Sequence, residues 1–209
     1  MTKAPAPKQG RKYETVRDSA AVIFLRDGYA GASVDDITRE ARVSKATLYS
    51  YFPEKSMMFR AALLAELSSA FGKCPFDKLR DGNAPDILPK ILTSLADWAA
   101  TGQRVRMVRI IIAEGVRFPD LVVVYENAFA TRIIEPLKAL IDIWIDQGQV
   151  DAHDSHHSAR QLVAMIIGHV QQYAMLTSSG FTKGQLPACA QAAASLFLRG
   201  HTTKNRKSC

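Results

Sequence analysis

The sequence predicts an all-α fold, a small three-helix head followed by a larger helical bundle. Three observations carry that prediction. Apolar residues recur every three or four positions in segment after segment. The interruptions fall at Gly, Pro and Asp, which stop helices or open turns, and hydroxyl residues stand where helices would start. With 47% of 209 residues apolar, the chain can also fill the core that such a fold needs.

Val16, Ala20 and Phe24 share one helical face and Gly28 supplies a left-handed stop, so residues 12–27 read as the first helix. Ser33 opens a capping box with Asp36, and Val34, Ile37 and Ala41 line a short second helix that ends by Ala41. After a three-residue turn (Arg42, Val43, Ser44), Ser44 caps a third helix from Lys45 to about Phe52, which Pro53 cannot continue. Two short helices around such a turn fit a helix-turn-helix. Glu54 to about Gly72 forms a longer fourth helix with Met58, Ala61, Ala62, Ala65 and Leu67 apolar.

Five further helices are predicted: Pro85–Ala100, Gln103–Arg117, Pro119 to about Gln147, Ser155–Thr177 and Pro187–Arg199. LVVVY (Leu121–Tyr125) is β-branched enough for a strand, but Leu137, Leu140, Ile141 and Trp144 continue a helical period. Pro136 should bend that helix. The resulting segments are a disordered basic arm (1–11), a helix-turn-helix head (12–56), a larger helical domain (57–200) and a disordered basic tail (201–209).

The net charge of +7 is unevenly placed. Residues 1–56 carry +3 and residues 199–209 carry +4, while the segment between them is balanced. A basic arm (Lys3, Lys8, Arg11, Lys12) ahead of a compact domain suits an anionic partner, nucleic acid before a membrane surface, although it also serves as a solubilising tail. No window approaches a membrane span, and no apolar run follows the N-terminal charges as in a signal peptide. A cytoplasmic location is expected. Cys74, Cys189 and Cys209 are odd in number and far apart, which excludes a readable disulfide framework or zinc site. GxSxG, GxxxxGK[ST], GxGxxG and HExxH motifs are missing, and no cofactor is expected; a binding protein rather than an enzyme fits.

In the third helix, Leu48 and Phe52 lie four apart and face inward, leaving Lys45, Ala46, Thr47, Tyr49, Ser50 and Tyr51 outward. Lys45 can reach a guanine O6/N7 edge, Thr47 a thymine methyl, and small Ala46 allows close approach to the groove floor. Tyr49, Ser50, Tyr51 and Lys55 suit phosphate oxygens, and helix starts at Ser33 and Ser44 add backbone donors.

Residues 12–60, above all DGYAGASVDDITREARVSKATLYSYFPEKSMMF, resemble the DNA-binding domain of TetR-type (tetracycline-repressor-like) bacterial regulators. Gly28, Tyr29, Ser33, Val34, Ile37, Ala41, Val43, Ser44, Lys45, Leu48, Tyr49, Phe52 and Lys55 match in order and spacing. The resemblance implies a homodimer at the bacterial nucleoid, with a DNA-binding domain (12–56) placing one head per half-site of a double-stranded operator and a C-terminal domain (57–200) that binds a small inducer and forms the dimer interface. It assigns base contact to Lys45, Ala46 and Thr47 and phosphate contact to Ser44, Tyr49, Ser50, Tyr51 and Lys55; Ala46 stands where many relatives have Gly. RIIIAEGVRFPDLVVVY (Arg109–Tyr125) more weakly resembles the AefR-like branch.

Candidate pocket residues are Trp98, Arg104, Met107, Ile111, Phe118, Tyr125, Phe129, Trp144, Met165, His169 and Tyr173, most of which also fit plain core. His169 shares an apolar face with Leu162, Met165, Ile166 and Val170, predicting a buried histidine in the core or a pocket. Arg104, beside Val108 and Ile112, fits a snorkelling side chain or a pocket cation. Small residues Ala164, Gly168, Ala190, Ala193 and Ala194 beside Leu162, Leu196 and Phe197 suggest a dimer face, or else monomer core. HDSHH (His153–His157) reads as a solvated helix start rather than a metal site, because consecutive histidines share no helix face. The expected function is a ligand-responsive DNA-binding regulator, a repressor before an activator. A non-specific architectural DNA binder, or a helical small-molecule-binding protein or enzyme with a vestigial head, are the alternatives.

Overall fold

The computed structural model describes residues 10–72, 74–79, 82–176 and 185–202; the predicted basic arm up to residue 9, the tail from residue 203 and the end of the Ser155–Thr177 helix lie outside the described residues. Every regular element among these is helical: α1 Arg11–Gly31, α2 Val34–Ala41, α3 Lys45–Tyr51, α4 Lys55–Ala70, α5 Ala84–Ala99, α6 Gly102–Glu114, α7 Pro119–Phe129, α8 Glu135–Asp146, α9 Ser155–Leu176 and α10 Gln185–His201. No described helix is long and apolar enough to cross a membrane.

The chain forms two compact units, one comprising the chain up to Ala70 with Arg106–Tyr125, the other Phe71–Val105 with the chain from Glu126 onward. In the first unit α1 breaks at Gly28, whose φ of 74° is the left-handed geometry expected of it. α2 starts at Ser33, whose hydroxyl accepts from the Asp35 amide at 3.1 Å. The predicted capping box with Asp36 is therefore corrected: Asp36 instead pairs with Arg39 at 2.7 Å. α2 ends on Arg42, held left-handed at φ 53°, with the Val43 amide donating to the Thr38 carbonyl at 3.1 Å.

Val16, Ala20 and Phe24 of α1, Ile37 of α2, Leu48 of α3 and Met58, Phe59, Ala62 and Leu63 of α4 join in one buried core. Full burial of a residue such as Ile37 or Leu48 contributes about 2 kcal/mol. Phe24 meets Phe59 edge-on at 5.0 Å, and Tyr13 lies 4.8 Å from Phe52. Ile110, Ile111, Phe118 and Leu121 belong to the same core, with Phe118 4.7 Å from Phe59. α4 adds Met58, Phe59, Ala62 and Leu63 to this core because its apolar stripe faces α1. Arg60 pairs with Asp120 and stacks over Phe118 at 4.8 Å.

In the second unit α10 and α9 pack against α5, and α8 packs against α9. Asn83 caps α5, its side chain accepting from the Asp86 amide at 3.0 Å. Ahead of Pro136 lies a π-helical turn, Ala130–Ile134, in which the Glu135 amide reaches back to the Ala130 carbonyl. A proline at 136 cannot supply the next helical donor, and the wider turn immediately precedes it. Trp144 and Leu137 are buried, as their period predicted. Asp154 starts α9 by accepting from the His157 amide at 2.9 Å, which draws its carboxyl below the usual range. HDSHH is thus a helix start, and among the described residues no cluster of His, Cys, Asp or Glu is arranged to hold a metal.

Candidate nucleic-acid interface

α3 is positioned from inside by Leu48, fully buried, and by Phe52 just past its end. Its start is fixed by Ser44, whose hydroxyl accepts from the Thr47 amide at 3.1 Å and shares a hydrogen bond with the Thr47 hydroxyl at 2.9 Å. One of the four orphan amides of a helix start is satisfied this way. What remains outside is a compact face: Ser44, Lys45, Ala46, Tyr49 and Ser50 are exposed, with Thr47 half-buried at its edge. Ser50 donates to the Thr47 carbonyl at 2.7 Å, leaving its oxygen as an acceptor. Ser33 is half-buried at the start of α2.

Two predicted phosphate contacts sit differently. Tyr51 is half-buried and meets Tyr13 edge-on at 6.1 Å, because the residue before Phe52 lies where α3 rejoins α1. Lys55 is half-buried, its ammonium 3.4 Å from the Ala30 carbonyl and 5.0 Å above the Tyr29 ring, so it closes the end of α1.

The face also contains residues that the sequence reading passed over. Asp35 lies 2.5 Å from the Lys45 ammonium; hydrogen bonding and charge from Asp35 raise Lys45 above the ordinary lysine range. Arg42 is exposed in the turn. Two acids in the first turn of α2 were the available signal.

The predicted pocket residues divide between the units. Met107, Ile111 and Phe118 are buried in the first unit, and the crevice beside Ile111 and Phe118 is too tight for a water molecule. Tyr125 is half-buried, and burial pushes its hydroxyl above the usual tyrosine range. In the second unit Trp144 is core, whereas Trp98 and Phe129 are half-buried, each against Phe71 at 5.4 and 6.3 Å. Arg104 stacks over Trp98 at 4.6 Å and donates to Thr101 at 3.0 Å; burial draws its guanidinium below the ordinary arginine range. His169 and Tyr173 are exposed and Met165 half-buried, so the buried histidine is not found: the inward stripe of α9 is Leu162, Val163, Ile166 and Val170.

The predicted dimer residues likewise split. Leu162, Ala190, Ala193, Ala194 and Phe197 are buried within this chain, since α10 uses its alanines to approach α5 and α9. Ala164 and Gly168 are exposed, and with Met165 and Leu196, 62% exposed, they form an outward apolar face. A groove of about 470 Å³ runs along it, lined by Gln161, Ala164, Met165, Leu196 and His201 among others.

A buried three-helix core that presents a short, hydroxyl-rich helix after a tight turn defines a helix-turn-helix regulator. The chain belongs to the tetR family of bacterial regulatory proteins: that family's domain matches residues 16–62, and the AefR-like transcriptional repressor C-terminal domain matches residues 86–202. The family is one of transcriptional regulators, not enzymes. Among solved structures, a protein described as a TetR-family transcriptional regulator from Mesorhizobium loti is 23% identical with a TM-score of 0.80, covering 92% of this chain and 98% of that one. The flavonoid-responsive regulator FrrA is 28% identical with a TM-score of 0.68, covering 93% and 99%. The HTH-type transcriptional repressor SCO4008 of Streptomyces coelicolor is 28% identical over 101 residues, 48% of each chain. The biofilm operon regulator IcaR of Staphylococcus aureus is 29% identical over 68 residues, 32% of each. The matches thus span half or less of these two curated relatives.

Proposed function

We propose that the protein is a transcriptional repressor that binds a near-palindromic operator as a homodimer in the cytoplasm and is released by a small-molecule inducer. The observation that carries this reading is the exposed face of α3, where Lys45, Ala46, Thr47, Tyr49 and Ser50 surround the helix start that Ser44 caps. Such a face offers donors to base edges and phosphates without exposing the core residue Leu48. Lys45, Ala46 and Thr47 approach the bases; Ser33, Ser44, Tyr49, Ser50, Tyr51 and Lys55 meet the backbone. SCO4008 and IcaR bear repressor names, which favours repression over activation.

The second copy binds through the outward face of α9 and α10, where Ala164 and Gly168 permit close helix approach and Leu196 supplies apolar area. The inducer is aromatic: FrrA is named for its response to flavonoids, and the second unit holds Trp98 and Phe129 half-buried against Phe71, with Arg104 at hand. Inducer must bind one head spacing better than the other, since equal affinity for both shifts nothing. Selection of genomic fragments by the purified protein tests the reading. It predicts an inverted repeat with half-sites about 34–36 Å apart, one turn of DNA. A flat distribution of captured fragments would sink it.

A further inference from the structure

An exposed carboxylate stands inside the face that would meet a polyanion. Asp35 and Lys45 form a bridge from the first turn of α2 to the first residue of α3, with side chains 62% and 59% exposed. The Asp35 backbone is fixed, its amide donating to Ser33. The other acid of that turn, Asp36, is already committed to Arg39 at 2.7 Å. Asp35 is therefore the acid on this face that engages the residue proposed to read bases.

That pairing has consequences that differ between DNA sequences. On an arbitrary duplex Lys45 gains a phosphate only by leaving Asp35, and the released carboxylate then lies close to the phosphates, where like charges repel. On the right site, Lys45 is satisfied by a guanine edge, and Asp35 can accept from the exocyclic amine of a nearby cytosine. Resting on the operator-binding reading above, we propose that Asp35 is a positioning and specificity-determining residue: it holds Lys45 across the groove-facing side of the head and disfavours non-specific DNA.

The test compares wild type with Asp35→Asn, an isosteric change that leaves the backbone cap in place, by fluorescence anisotropy on a selected operator and on a random duplex over a range of salt. Asp35→Asn should tighten random-duplex binding on the order of fivefold, with a salt slope steeper by about 0.9 for the one phosphate contact that freed Lys45 gains. Operator affinity should change less than about twofold, so the specificity ratio falls. Asp35→Glu, which keeps the pair, should retain most of the ratio. In a Lys45→Ala background the slope change should vanish. Unchanged random-duplex affinity and slope in Asp35→Asn, or an equal gain on both duplexes, would overturn the role while leaving the operator reading intact. A wild type that binds no duplex would overturn the operator reading itself.

Discussion

The exposed faces of α3 and of α9 with α10 differ in how they are finished. Around α3 the polar side chains are tied to each other and to the helix: Ser44 to Thr47, Ser50 to the Thr47 carbonyl, Lys45 to Asp35. The outward side of α9 and α10 is small and apolar, with Ala164, Gly168 and Leu196 open to solvent. A surface left in water at rest can be polar and self-satisfied, while a surface built of exposed Leu and Gly gains by being covered. The first suits a charged, hydrated partner and the second another protein surface.

The contrast breaks most severely where the apolar face is altered. A Cβ added at Gly168 meets no atom of the described residues within 4 Å, so Gly168→Leu should fold normally yet block close approach of a second copy. Sedimentation velocity should then show monomer, and operator affinity should fall at least about a hundredfold, since one half-site no longer assists the other. Dimers that survive both Gly168→Leu and Leu196→Glu would place the interface elsewhere.

A smaller effect separates the head from ordinary helical packing. Arg42 is the one described non-glycine residue with positive φ, a conformation that disfavours any Cβ. Arg42→Gly should stabilise the protein by about 1 kcal/mol in urea denaturation. A loss of stability would mean that the arginine side chain contributes more than its backbone geometry costs.

Smallest of these is the phosphate contribution of the self-satisfied face. Tyr49, 46% exposed, should lose about threefold in affinity on conversion to Phe, equally for operator and random duplex. A loss confined to the operator would move Tyr49 from the phosphates to the bases.

The same difference explains what could be read from the sequence. The head was legible because each signal acts within four residues: Ser44 caps, Leu48 and Phe52 face inward, Gly28 takes positive φ. Side chains whose partners come from another element were not. Tyr51 turns to Tyr13, Lys55 to Tyr29 and Ala30, and Lys45 to Asp35, through contacts that no helical period encodes. In the second unit an alanine stripe signals close approach without saying to what. α10 spends Ala190, Ala193 and Ala194 on packing inside the chain, leaving the open face to Leu196. His169 fell one position off the buried stripe, where Val170 lies inside and His169 outside.

The most direct measurement is the affinity of Lys45→Ala for the selected operator, for operators altered one base pair at a time, and for random duplex. If α3 reads bases, the substitution should weaken operator binding about tenfold to a hundredfold and erase discrimination at one base pair, while random duplex changes little. An equal loss on every duplex would show that Lys45 meets only phosphates, contradicting base reading by this helix.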